Sequence, residues 1–333
     1  MKIVLTGGGT GGHVYPNLAM LPYLKNFEVY YFGSNGMEKE LAKKYNLPFY
    51  ETKTVKFERK NLLKNFALPF KLSQCKAQAA KLLEKIKPDV VLSKGGYASL
   101  PCTLAALKLN IPVICHESDL SLGLANRVAK LSGATLATAN EETAKKYGGV
   151  FTGIPLRREL FKLSKDEAKK ALKINKKIIL VLGGSSGAKA INDCIPSFAE
   201  KIPSDTCIIH FTGKNKKLGF SKENYMQIEY SDDMATYLNA ADVVVSRCGA
   251  TALHEIAALK KRAVFIPLPK GTSRGDQVEN AAVAKKHGGI ILEQPKLSPE
   301  NLLSAISLAE KPMTPICENP NEKLLKLILE KAK

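Results

Sequence analysis

The chain has 333 residues, 45% of them hydrophobic and 24% charged, with seven cysteines and no tryptophan. At about 100–200 residues per domain that length calls for two domains, each with its own core, and the composition excludes a disordered, collagen-like or disulfide-stapled protein. Fifty Lys and Arg against 31 Asp and Glu leave a net charge of +19, which asks for an anionic partner: a nucleic acid, a membrane surface or a phosphorylated substrate.

The cysteines form no C-x-x-C, so they read as reduced, mostly buried thiols rather than zinc ligands or a redox pair. No window approaches the ~18 apolar residues of a membrane span. The apolar run of MKIVLTGGGTGGH is too short for a signal-peptide core. The chain is therefore expected in the cytoplasm.

Strand and helix signals alternate from the start. Lys2–Thr6 (KIVLT) is a β-type run ending in glycines, and Asn17–Leu24 follows with helical spacing. Glu28–Phe32 is the next strand and Glu38–Tyr45 the next helix; Asp89–Leu92 and Ile111–Cys115 are further strands, with a helix from about Leu122. The pattern then restarts: Lys177–Leu182 (KIILVL), helix Ala188–Glu200, and strands Cys207–Phe211, Val243–Ser246 and Ala263–Ile266. Strands separated by single helices imply βαβ units and parallel sheets. KIVLTGGGTGG and KIILVLGGSSGA open two similar α/β domains, with Thr152–Phe161 as the linker and Asn321–Lys333 as a final helix outside the second pattern.

Glycines between a strand and a helix present backbone N–H groups at a helix N-terminus, a geometry that holds phosphate. Gly7, Gly9 and Gly12 fit G-x-G-x-x-G, but the next strand ends in Gly33-Ser34-Asn35 where a dinucleotide fold needs an acid for the ribose. Gly183–Gly187 (GGSSG) also fits the G-x-S-x-G nucleophile elbow of a serine esterase. No distinctive acid-then-histidine pair follows it. Two more loops, Ser93–Ser99 (SKGGYAS) and Ser246–Thr251 (SRCGAT), end strands in each half. The simplest meaning is one domain for a nucleotide and one for an acceptor. Glu255, early in the helix after the fourth loop, suits ribose hydroxyls, or else complements the helix dipole.

The charge is concentrated between Lys53 and Lys87, where ten basic residues meet two acidic ones. Phe57, Leu62, Leu63, Phe66, Leu68, Phe70 and Leu72 are interleaved with them. This mixture suits the interface of an anionic bilayer, and equally a lysine-rich helix whose apolar face is core. No nucleic-acid-binding module accompanies it, so nucleic acid is not expected.

In order, the chain carries GGGTGGHVYPNLA, SKGGYASLP, HESDLSLGLANR, LGGSSGA, SRCGATALHEIAAL and GDQVENA. Together they resemble the MurG family of N-acetylglucosaminyltransferases over essentially the whole length. The resemblance implies a GT-B glycosyltransferase architecture: two Rossmann-like α/β domains with parallel sheets facing a cleft, here 1–155 and 156–316, and a final helix 321–333 packed on the first. It implies transfer of GlcNAc from UDP-GlcNAc to the 4-hydroxyl of undecaprenyl-pyrophosphoryl-MurNAc-pentapeptide, with inversion, in peptidoglycan synthesis and hence cell shape and division. A GT-B transferase for another lipid acceptor, such as diacylglycerol, is the alternative.

By the same resemblance Arg157 and Ser185 meet the donor diphosphate, Glu255 the ribose and Gln277 the ribose or sugar, while the backbone around Ser231 reads the uracil and Ala250 and Thr251 flank it. Thr10, Gly11 and Gly12 close over the sugar and approach the lipid diphosphate, Tyr97 lies near the acceptor loop, Asn126 lies in the patterned GLANR run, and Asp119 is a further substrate-binding candidate. Departures exist: Asp119 stands where the family often has Asn, Asp276-Gln277 where it often has Gln-Gln, and Ser231 where it often has Ile. An inverting displacement needs one base. His13, whose ordinary pKa lies near neutrality, is the first choice; Glu117 is the runner-up, with Asp119 behind it. No D-x-D occurs, so no metal and no cofactor is expected and activity should survive EDTA. Phe66 and Phe70 would dip into the cytoplasmic leaflet while Lys60, Lys64 and Lys71 meet its headgroups, making the enzyme a peripheral protein of that face.

Overall fold

The computed structural model describes residues 1–54, 68–184, 186–271 and 275–332. The chain divides into two compact units, Met1–Arg157 with Asn319–Lys333, and Arg158–Glu318.

The first unit holds strands β1 (Lys2–Thr6), β2 (Glu28–Gly33), β3 (Phe49–Glu51), β4 (Val90–Ser93), β5 (Val113–Glu117), β6 (Thr135–Thr138) and β7 (Val150–Phe151). They form one parallel sheet in the order β3-β2-β1-β4-β5-β6-β7. Its helices are α1 (Gly11–Leu18), α2 (Met37–Lys44), α3 (Leu68–Ile86), α4 (Leu100–Lys108), α5 (Leu124–Leu131) and α6 (Glu141–Tyr147). The second unit repeats the winding. Helix α7 (Lys165–Leu172) precedes β8 (Lys177–Leu182), α8 (Lys189–Glu200), β9 (Thr206–Phe211), β10 (Tyr225–Ile228), α9 (Met234–Ala240), β11 (Val243–Ser246), α10 (Ala250–Ala258), β12 (Arg262–Phe265), α11 (Asp276–Lys286), β13 (Ile290–Ile291) and α12 (Pro299–Leu308). Its six strands, also parallel, run β10-β9-β8-β11-β12-β13. The doubly wound reading of both halves holds.

Helices on both faces bury the sheet from both sides, which is why its central strands are near-continuous apolar runs. In β1, Ile3 and Leu5 join one core cluster and Val4 the opposite one. The first cluster is completed by Leu324, Leu327 and Ile328 of the last helix, α13 (Pro320–Lys331); burying each contributes about 1.5–3 kcal/mol. Asn321 anchors that helix. Its Nδ2 donates to the carbonyls of Ala19 (3.0 Å) and Leu156 (3.1 Å), and its Oδ1 accepts from Leu156 N (2.9 Å).

Two elements differ from expectation. The helix expected over Asn17–Leu24 starts inside the glycine motif at Gly11 and stops at Leu18. Pro22 opens a separate 3-10 turn, Leu21–Tyr23, because the residue before a proline is steered away from α geometry. Of the Lys53–Lys87 stretch the described residues are 53–54 and 68–87, and there α3 turns Cys75, Ala79, Leu83 and Ile86 into the core, as the core-facing reading of a lysine-rich helix requires. Among the described residues no helix is long and apolar enough to cross a membrane.

Candidate functional site

In a doubly wound sheet the strand order reverses at one place, and the loops leaving the two central strands part there to open a crevice. In the first unit these strands are β1 and β4. Gly96, at φ +79°, shows how closely their loops approach: a Cβ there would lie 2.9 Å from the Gly8 carbonyl and 3.3 Å from His13 Nδ1. Thr10 is the N-cap of α1, but its hydroxyl does not cap the helix. Instead Oγ1 sits 2.9 Å from Nδ1 of His13. Gly11 and Gly12 therefore start α1 with backbone N–H groups that no side chain caps, the arrangement that attracts an anion. The Tyr97 ring packs against Gly9.

Behind this loop lies an acid that the sequence reading treated only as the start of a helix. Glu38 is fully buried, and its carboxylate accepts from Ser34 N (3.0 Å) and Gly9 N (3.4 Å). Strand β2 ends at Gly33 with no acid placed as a dinucleotide fold places it. The carboxylate that follows is turned inward to brace the glycine loop.

The end of β5 is organised by Glu117, which is 5% exposed. One carboxylate oxygen accepts from Ser118 N (2.9 Å) and Asp119 N (3.1 Å), the other from Gly123 N (2.8 Å) and Asn126 Nδ2 (3.0 Å). Four donors occupy its two oxygens, so the carboxylate is committed to shaping the turn. Asn126 Nδ2 also reaches the His116 carbonyl at 3.0 Å. Its Oδ1 is buried with no hydrogen-bond partner. Beside this turn lies Lys94, 2% exposed. Burial pushes its ammonium down to about 7 against the opposing pull of Glu117 and Asp119. Thus Thr10, Gly11, Gly12 and His13 of one loop, Tyr97 of the second, and Glu117, Asp119 and Asn126 of the third gather at one end of one sheet. Arg157 also falls in the first unit, its guanidinium 5.7 Å from the centre of the Tyr15 ring, not with the second domain where its motif had placed it.

The second unit has the same reversal between β8 and β11. Its loop is fixed by Gly187, at φ +68°, where a Cβ would stand only 2.0 Å from the Thr212 carbonyl. A buried relay supports that carbonyl: Asn192 Nδ2 donates to Thr212 O (2.9 Å), His210 Nε2 lies 3.1 Å from Asn192 Oδ1, and Tyr225 Oη lies 3.0 Å from His210 Nδ1. Burial lowers His210 to about 4, so the ring is neutral and donates from Nε2. Beside the loop is a cavity of about 520 Å³ lined by Gly183, Gly187, Arg247, Leu268, Gln277 and Gln294 among others. Arg247, which sequence reasoning missed inside the SRCGAT loop, reaches the Ile266 carbonyl (3.0 Å) and Gln294 Oε1 (2.6 Å). Gln277 Oε1 accepts from Leu268 N at 3.0 Å.

Ala250 and Thr251 form the first turn of α10, capped by Gly249 without a side-chain bond, and Glu255 is buried further along. Ser231 Oγ accepts from Asp233 N at 3.1 Å before α9. Of these donor-side candidates, Gln277 lines the cavity; Ala250, Thr251, Glu255 and Ser231 are not among its lining residues. Ser185 lies outside the described residues, as do Lys60, Lys64 and Phe66. Phe70 is 69% exposed on the first turn of α3, next to exposed Lys71. Among the described residues no three His, Cys, Asp or Glu converge as a metal site requires.

Residues 3–138 match the glycosyltransferase family 28 N-terminal domain and residues 178–329 its C-terminal domain. A curated protein of Clostridium perfringens (strain SM101 / Type A), named UDP-N-acetylglucosamine--N-acetylmuramyl-(pentapeptide) pyrophosphoryl-undecaprenol N-acetylglucosamine transferase, is 41% identical over 93% of this chain and 90% of its own. The chain belongs to the MurG family. A Clostridium botulinum (strain Kyoto / Type A2) protein of the same name is also 41% identical, over 92% of this chain and 90% of its own. The crystal structure of Acinetobacter baumannii MurG superposes with a TM-score of 0.74 at 26% identity, covering 99% of both chains. The MurG motifs quoted from the sequence fall on strand-to-helix loops: the first three at β1, β4 and β5, the next two at β8 and β11, and GDQVENA at the start of α11.

Proposed function

We infer that this chain is a UDP-GlcNAc-dependent N-acetylglucosaminyltransferase that converts the undecaprenyl-pyrophosphoryl MurNAc-pentapeptide into its GlcNAc-MurNAc disaccharide for peptidoglycan. The carrying observation is the 41% identity, over nine-tenths of the chain, to proteins of that name. Two loop-lined sheet ends, one per unit, support it. The donor belongs to the second unit, where the Gly183–Gly187 loop and the cavity beside it suit a diphosphate and a sugar. The acceptor belongs to the first.

The acceptor O4 attacks the anomeric carbon of GlcNAc, the bond from that carbon to the UDP oxygen breaks, and the O4 proton passes to a base. His13 is assigned that role. Its Nδ1 is 2.9 Å from Thr10 Oγ1, and the tautomer that donates there is the one that can accept a proton at Nε2. Glu117 is assigned to hold the acceptor turn, since four N–H groups already occupy its carboxylate. Charge growing on the departing UDP is met by loop amides and helix N-termini of the second unit. Phe70 and Lys71, exposed together, are the described part of a surface that would rest on anionic lipid. UDP release measured with the muramyl lipid, and separately with diacylglycerol, tests the reading. Release that requires the muramyl lipid supports it, and release that requires diacylglycerol refutes it.

A further inference from the structure

A lysine buried at the end of a central strand is expensive, because an ammonium leaving water must be paired and hydrogen-bonded. Lys94 is so placed, following β4 beside the first glycine loop. Its Nζ stands 2.6 Å from His116 Nδ1 and 2.8 Å from Ser118 Oγ. His116 is fully buried, and its Nε2 lies 2.7 Å from the Gly153 carbonyl. A carbonyl only accepts, so Nε2 carries the ring hydrogen and Nδ1 is left to accept from Lys94. The bond directions are therefore set: ammonium to imidazole, imidazole to carbonyl.

What this ammonium faces is a carboxylate-rich turn. Glu117 gathers the amides of Ser118, Asp119 and Gly123 around itself, and both Glu117 and Asp119 act electrostatically on Lys94. Ser118 is held from two sides, its N–H by Glu117 and its hydroxyl by Lys94. We propose that Lys94 is a positioning residue for the acceptor: its ammonium, seated on His116 and Ser118, is the counter-charge that keeps the Glu117–Asp119 turn in acceptor-binding geometry. This rests on the assignment of the acceptor to the first unit.

The placement carries a pH signature. The titratable groups acting on Lys94 are His116, Glu117 and Asp119 from the end of β5; His13 lies on the neighbouring glycine loop, its backbone carbonyl against Gly7. Burial holds the ammonium at about 7. Above that pH it loses its proton, the two carboxylates lose their counter-charge, and acceptor binding weakens. A His13 base works in the opposite sense, gaining as pH rises, so the acceptor profile is a bell whose falling limb belongs to Lys94.

The test uses the full chain with UDP-GlcNAc and a short-lipid muramyl-pentapeptide diphosphate, taking kcat and both KM values from pH 6 to 9. In the wild type, acceptor kcat/KM should fall about tenfold in all from pH 7 to a plateau near pH 9, while donor KM moves less than about twofold. Lys94→Met should raise acceptor KM about tenfold at pH 7 and lose the falling limb. Ser118→Ala removes one bond to the charged form and should move the limb to lower pH; it carries the test if Lys94→Met does not fold. Donor and acceptor KM rising together in Lys94→Met, or a limb that stays in place in both variants, would overturn the proposal. A wild type inactive on the muramyl lipid overturns the acceptor assignment beneath it, and is seen before any variant is made.

Discussion

Gly184 and Gly187 share one loop and both hold positive φ, +85° and +68°, but their surroundings are unlike. A Cβ on Gly184 would meet nothing within 4 Å; one on Gly187 would lie 2.0 Å from the Thr212 carbonyl oxygen and 2.9 Å from its carbon. Alanine at either position meets the left-handed backbone cost, about 1–2 kcal/mol. Gly187→Ala must also drive back a carbonyl at the end of β9 that Asn192 Nδ2 holds at 2.9 Å. Losing that bond costs about 1 kcal/mol and overpacking a further 1–3 kcal/mol. Gly184→Ala should therefore lose about 1–2 kcal/mol and Gly187→Ala about 3–6 kcal/mol in urea unfolding. If the loop yields instead of the fold, the excess of about 2 kcal/mol or more appears as a UDP affinity lowered about 30-fold or more, read by calorimetry. Two variants that unfold together and bind UDP alike would refute the argument that this loop is held by its contact with β9.

Asn321→Ala leaves the Leu156 amide and two carbonyls without the side chain that joins α13 to the first unit; unfolding should show a loss of about 2–4 kcal/mol, and a negligible loss would remove the anchor role. His13→Ala should lower kcat about 100-fold or more with donor KM unchanged, whereas an unchanged kcat would dismiss the base assignment. Phe70→Asp should weaken co-sedimentation with anionic vesicles in a salt-sensitive way; binding indifferent both to salt and to that change would place the membrane contact elsewhere.

What was legible in the sequence was whatever local pattern could encode. KIVLT and KIILVL are apolar on both faces and end in glycine, so β1 and β8 and the repeated doubly wound plan could be read directly. Strands β3, β6, β7, β10 and β13 were missed: β3, β7 and β13 are only two or three residues long, and β6 (TLAT) and β10 (YMQI) mix polar residues into runs no longer than four. Their pairing comes from a neighbour already in the sheet rather than from their own composition. The MurG motifs marked the loops, but not the charged groups that brace them. Glu38, Lys94 and Arg247 look like surface residues in a one-dimensional reading. They are buried because partners brought in by the sheet satisfy them: Gly9 and Ser34 for the first, His116 and Ser118 for the second, Ile266 and Gln294 for the third. A lysine and an arginine inside glycine loops that directly follow apolar strands were the available signal for the last two.

The product of a single incubation tests the central claim most directly. With labelled UDP-GlcNAc and the muramyl-pentapeptide lipid, NMR of the product should show one β-configured 1,4 linkage formed for each UDP released. An α linkage, free GlcNAc in place of a disaccharide, or no sugar on the muramyl lipid would contradict it.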